Sequence, residues 1–290
     1  MIKKIISLSA LLLICVMANA QDDYSAVITK TNSSQIAIPI DDIDSIVYSP
    51  SANVTPSYFD NTSKWKGKIV GFLGNSITEY GEYVRSYASL TGCTAVNYGV
   101  SGTHIAKVNS STTNAFENRC SSMRKDLDLL IVFGGTNDFG HLSTAAFGKF
   151  SDGTNPNTFT FYAGLHRLFS KLYKMYRGKP VVIMTPIHHG VEVDAAEYTY
   201  SDNGTKIKVG KNPTTDRPFV DYVNAIKEVA AYYSFIVIDA YSYSRLSPMT
   251  EIGAANRRYF KDGLHPNDAG GLRLAKWMYP QLEQVYDMFY

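Results

Sequence analysis

Ile69-Val70-Gly71-Phe72-Leu73-Gly74-Asn75-Ser76-Ile77-Thr78 runs from five residues without a charge into a polar turn. An apolar run with no polar alternation suits a strand buried on both faces, as in a parallel sheet covered by helices. The residues after it then sit at the carboxyl edge of the sheet, where such folds bind their ligands. A serine lifted there by a tight turn is a candidate nucleophile. Ser76 followed by Glu79 also fits a helix capping box, so capping alone is the competing reading.

Outward from this segment, apolar strands and amphipathic helices alternate from Lys66 onward. The strand candidates are Lys68 to Leu73, Ala95 to Tyr98, Leu129 to Phe133, Val181 to Thr185 and Ile236 to Asp239. Leu165, Leu168, Phe169, Leu172, Met175 and Tyr176 recur at helical spacing, and Gly178 and Pro180 stop that helix. Val220, Val223, Ile226, Ala230 and Tyr233 form a second stripe. The alternation predicts a three-layer α/β/α sandwich with a five-stranded parallel sheet over residues 66–290. Residues 21–50 alternate polar and apolar positions around Asn32-Ser33-Ser34 and read as a small β-hairpin appendage, joined by a linker over residues 51–65.

Residues 1–20 have the form of an export signal: Lys3-Lys4, an apolar stretch from Ile5 to Met17, and small residues in Ala18-Asn19-Ala20. The expectation is a signal peptide and an exported protein, whether periplasmic, extracellular or at the cell surface. Cys15 raises a lipoprotein as a minor alternative, although Ile14 before it is bulkier than a lipobox favours. The full chain has 28 basic and 26 acidic residues, and loss of the leader removes Lys3 and Lys4 to leave 26 of each. That balance, with no polybasic tract, makes nucleic acid and an anionic membrane surface poor candidates for the partner. Cys93 and Cys120 read as buried thiols, with a disulfide as the alternative.

Three more polar motifs fall at the same edge. Asn97-Tyr98-Gly99-Val100-Ser101-Gly102 follows the second strand, where glycine lets a backbone amide approach a bound atom. Gly134-Gly135-Thr136-Asn137-Asp138 follows the third and offers a side-chain amide, or simply a turn residue. Asp262-Gly263-Leu264-His265-Pro266-Asn267 precedes the last helix and places a carboxylate three residues before an imidazole.

The four motifs in this order resemble the SGNH, or GDSL-like, hydrolase family of esterases and lipases, and the resemblance runs from about Lys66 to the C-terminus. It implies a flavodoxin-like fold, Ser76 as nucleophile, His265 and Asp262 as its triad partners, and an oxyanion hole built from Ser76, Gly102 and Asn137. The family commonly has Asp before the serine, where this chain has Asn75. Such chemistry needs no metal or organic cofactor. Adjacent histidines such as His188 and His189 can bind metal, but no third ligand lies near them in sequence, and cleft lining is the preferred reading. His104 reads as a rim residue, and Tyr198 or Tyr200 as sugar-stacking residues on a long connection whose simpler reading is a hairpin.

The expected substrate is a small-molecule or polysaccharide ester with a short acyl group, O-acetyl first. A lipase, lysophospholipase or thioesterase of the same family is the alternative, and it would need a long apolar channel. A non-catalytic glycan-binding surface protein is the reading from outside enzymology. Oligomeric state is not written in the sequence.

Overall fold

The computed structural model describes residues 63–290 apart from 142, 156, 194–209 and 252–256, together with three short strands nearer the N-terminus. Those strands are β1 (Ile6–Ser7), β2 (Ser25–Thr29) and β3 (Gln35–Pro39), and they form a sheet of their own. β2 and β3 pair antiparallel from Ser25 opposite Pro39 to Thr29 opposite Gln35, while β1 lies parallel to β2. The rest of the proposed leader and linker up to residue 62 lies outside the described residues. Among the described residues, no helix is long and apolar enough to cross a membrane.

The larger unit is built on five parallel strands: β4 (Ile69–Gly74), β5 (Thr94–Gly99), β6 (Leu129–Phe133), β7 (Val181–Met184) and β8 (Ile236–Ile238). Their order across the sheet is β5-β4-β6-β7-β8, the doubly wound arrangement of flavodoxin-like folds. All five fall where the apolar runs predict them, to within a residue or two at the ends.

Helices α1 (Ser76–Tyr80), α2 (Glu82–Thr91), α3 (Phe116–Arg119), α4 (Thr136–Gly140), α5 (Phe161–Met175), α6 (Phe219–Tyr232), α7 (Ala240–Tyr243) and α8 (Asp268–Phe289) follow in chain order. The continuous burial of β6 has a simple cause. Leu130 and Val132 join the core beneath α5 and α6, while Leu129, Ile131 and Phe133 join the core beneath α2 and α8. Both faces are covered, so every side chain of the strand must be apolar.

The stripe of α6 differs from the expected one. Val220 is 40% exposed, and the inward positions are Phe219, Tyr222, Val223, Ile226, Val229 and Ala230. The helix begins at Phe219, whose larger ring takes the core position and turns Val220 to the outside. Cys93 and Cys120 are both free and buried, and they belong to cores on opposite sides of the sheet, so the sheet itself keeps them from pairing.

At the carboxyl edge the register places Gly74 opposite Gly99 on one side and Phe133 on the other. The turns after β4, β5 and β6 therefore emerge side by side. A Cβ on Gly99 would overlap the backbone of Glu79, so the close seat of α1 on the end of β5 requires glycine there.

Candidate active site

In the turn after β4 the capping of α1 does not fall to Ser76. The residue that caps α1 is Asn75, whose Oδ1 accepts from the Ile77 N–H at 3.1 Å. Glu79 turns away to the next loop, where its carboxylate accepts from the Ser101 backbone N–H at 2.8 Å and from the Ser101 hydroxyl. Ser76 Oγ instead lies 2.9 Å from His265 Nε2. Capping thus falls to the residue in front of the serine. A neutral amide oxygen suffices for it, so Asn75 performs this capping without a carboxylate.

His265 is held from behind. Asp262 Oδ1 accepts from the backbone N–H groups of Leu264 and His265, each at 2.7 Å, and Oδ2 lies 2.8 Å from His265 Nδ1. Because a carboxylate only accepts, Nδ1 carries the proton and Nε2 is left to accept from Ser76. Burial by itself would raise the Asp262 pKa, but the hydrogen bonds from the His265 ring and backbone outweigh it and hold the carboxyl below its ordinary value.

The loop that carries both groups is fixed by the backbone. Lys261 N–H donates to the His265 carbonyl at 2.7 Å, Asn267 N–H to the Tyr259 carbonyl at 2.9 Å, and Gly190 N–H to the Gly263 carbonyl at 2.7 Å. Asn267 then caps α8 by accepting from Gly270 N–H at 3.0 Å. The Tyr80 ring sits 5.0 Å from the His265 ring, a neighbour with no signal in the sequence.

The turns after β5 and β6 are clamped to each other. Gly102 has φ +72°, a conformation that other residues adopt only with strain. Asn137 Nδ2 donates to the Thr103 carbonyl at 2.9 Å. Asp138 accepts from Ile105 N–H at 2.9 Å and Ala106 N–H at 3.1 Å, and burial pushes its carboxyl above the usual range despite nearby His104 and these donors. Adjacent side chains of one motif thus hold the whole 103–106 segment.

Arg119 joins the third side. Its guanidinium donates to the Tyr98 carbonyl at 2.8 Å, the Gly74 carbonyl at 3.0 Å and Thr103 Oγ1 at 3.0 Å. Neither Asp138 nor Arg119 was singled out from sequence. Asp138 had a signal, since it adjoins Asn137 in the same motif, whereas Arg119 had none.

The remaining candidates divide. His104 is half-buried and lines a cleft of about 420 Å³ together with Gly102, Asn109, Ser111, Thr113 and Asn114. His188 Nδ1 lies 3.0 Å from Glu192 Oε1, and its ring sits 4.0 Å from that of Tyr241. His189 is 1% exposed, accepts from Val191 N–H at 3.1 Å through Nδ1, and packs on Phe139 and Phe219. It is a packed residue and not one that lines a cleft. Tyr198 and Tyr200 lie outside the described residues. Among the described residues no cluster of His, Cys, Asp and Glu could hold a metal ion.

Two buried histidines make stability depend on pH. Burial lowers the pKa of His141 to about 3 and that of His189 to about 4. An unfolded histidine titrates near about 6.5, so between that pH and the folded values the unfolded chain binds more protons. Stability should therefore fall as pH drops below about 6.5. Urea unfolding across this range should show the fall, and His189→Asn, which keeps an acceptor for Val191 N–H, should flatten it. An unchanged slope in that variant would contradict the assignment.

A doubly wound sheet with a hydroxyl, an imidazole and a carboxylate hydrogen-bonded in series at its carboxyl edge defines the class: a hydrolase on a flavodoxin-like scaffold. The chain belongs to the GDSL-like lipase/acylhydrolase family, whose model matches residues 72–271, and it is an SGNH-type hydrolase. Solved structures agree on the fold. One from Lactobacillus plantarum is 26% identical with TM-score 0.61, covering 78% of this chain and 99% of that one. Another, described as a possible lipase from Chitinophaga pinensis, is 19% identical with TM-score 0.57, covering 75% and 98%. No curated protein matches the chain.

Proposed function

We propose that this protein is an exported serine esterase that removes short acyl groups, O-acetyl first, from hydroxyl-rich substrates such as carbohydrate. The observation that carries the reading is the unbroken series Ser76 Oγ to His265 Nε2 at 2.9 Å and His265 Nδ1 to Asp262 Oδ2 at 2.8 Å. Ser76 attacks the ester carbonyl as His265 takes its proton, and Asp262 favours the imidazolium that forms. The oxyanion receives hydrogen bonds from the backbone N–H groups of Ser76 and Gly102 and from Asn137 Nδ2. Each donor of this kind contributes about 2.7–4 kcal/mol to lowering the barrier. His265 returns the proton to the leaving alcohol, and water, activated by the same imidazole, then releases the acid.

The substrate class is supported by the cleft beside Gly102. His104, Asn109, Ser111, Thr112, Thr113 and Asn114 line it with hydroxyl, amide and imidazole groups, and Val108 adds one apolar side chain. An alkyl chain laid there would strip water from polar groups and return no hydrogen bonds, whereas a sugar ring would return them. Hydrolysis of p-nitrophenyl acetate, butyrate and decanoate, beside acetylated xylan and pectin, tests this. The expected order is acetate over butyrate over decanoate, with acetate released from a polysaccharide. A decanoate preference would instead assign the site to lipid esters.

A further inference from the structure

Arg119 is half-buried, yet no carboxylate among the described residues forms an ion pair with it. Burial lowers its pKa, with only partial relief from nearby Cys120 and Glu79. A buried cation without a partner anion is costly, so the fold must use its donors. Nε donates to the Asn114 carbonyl at 2.9 Å, just before α3, and the two Nη atoms reach three further pieces of backbone and loop. The Gly74 carbonyl lies immediately before Asn75-Ser76, the Tyr98 carbonyl lies at the end of β5, and Thr103 Oγ1 lies between Gly102 and the segment held by Asp138. Thr103 is also the residue whose carbonyl accepts from Asn137 Nδ2. Its hydroxyl donates in turn to the Val100 carbonyl at 2.7 Å. Val100 N–H closes the circle by donating to the Gly74 carbonyl at 3.1 Å.

We infer that Arg119 is a positioning residue that sets the spacing between the nucleophile turn and the oxyanion-hole loop, an inference that rests on the esterase reading above. One guanidinium Nη2 bonds both the residue before the nucleophile turn and the residue after Gly102. The planar fork fixes that separation, which a lysine ammonium on a flexible stem would not. The Phe116 ring, 5.0 Å from the guanidinium carbon, limits how far the plane can tilt. The chemistry depends on such spacing, because the oxyanion forms only at attack and a misplacement of about 1 Å can cost about a hundredfold. Arg119 itself touches no reacting atom, so it acts through the groups it holds.

The test compares Arg119→Lys, Arg119→Ala, Thr103→Val and Ser76→Ala on p-nitrophenyl acetate, with thermal melts of each. Both Arg119 variants should lose about 10- to 100-fold in kcat with KM within about twofold, since the oxyanion contacts are made in the transition state. Thr103→Val, which removes one bond to the guanidinium and the bond to the Val100 carbonyl, should lose less in the same parameter. Guanidinium or ethylguanidinium, added far below denaturing concentrations, should restore part of the kcat of Arg119→Ala and none of that of Ser76→Ala. Unchanged kcat in Arg119→Lys and Thr103→Val, or loss that follows the unfolded fraction and is not rescued, would overturn the inference. Full activity of Ser76→Ala would instead overturn the esterase reading beneath it.

Discussion

Ser76→Ala is expected to lower kcat on p-nitrophenyl acetate by about a millionfold, leaving only what binding and the oxyanion donors supply. In the hydrogen-bonded series the hydroxyl is the group whose proton an adjacent base can take, which makes it the nucleophile of the proposed mechanism. His265 has its Nδ1 proton committed to Asp262, and Nε2 faces the serine. Loss of one oxygen from a side chain that does not cap α1 should leave the melting temperature nearly unchanged, because the cap belongs to Asn75. A folded, inactive variant is therefore the expected result. A loss of activity shared with a large loss of stability would assign Ser76 a structural role.

The second large effect is expected at Asp262→Asn, about ten-thousandfold in kcat. The reason lies in the geometry of the carboxylate. One oxygen accepts from two backbone N–H groups, so the amide oxygen of asparagine will occupy that place and its NH₂ will face His265 Nδ1. A donor there forces Nδ1 to accept and moves the ring proton to Nε2, which can then no longer take the serine proton. The loop should stay folded, since its own backbone bonds remain. Stopped assays together with the imidazole proton shifts in nuclear magnetic resonance would detect the tautomer change. Activity within about tenfold of the parent would contradict this role for Asp262.

The parts of the molecule that sequence reveals are those written locally. β6 is legible because Leu129 to Phe133 has no polar residue, a property that both covering layers demand. The motif around Asp262 and His265 is legible because three residues of separation already let the groups meet. Val220 was misplaced because the stripe of α6 depends on where the helix begins, and Phe219 decides that only once it packs. Ser76 and Glu79 fit a capping box by spacing, but Asn75 competes for the same role and wins by position, while Glu79 finds Ser101 on another loop.

Arg119 shows the limit most clearly. Its partners are carbonyls and a hydroxyl at positions 74, 98, 103 and 114, and backbone carbonyls have no residue type to read. The pairing of His188 with Glu192 lay within one helical turn in sequence and could have been found, whereas the bond from Tyr241 to Glu192 at 2.7 Å could not.

On the proposed mechanism Ser76 carries the acyl group during turnover. Intact-protein and peptide mass spectrometry after rapid acid quench with p-nitrophenyl acetate, repeated with a fluorophosphonate, tests it most directly. One acetyl group, and one phosphonyl group, is expected on the peptide that contains Ser76, with neither in Ser76→Ala. Sustained turnover with Ser76 unmodified, or a label on another residue at the rate of turnover, would contradict it.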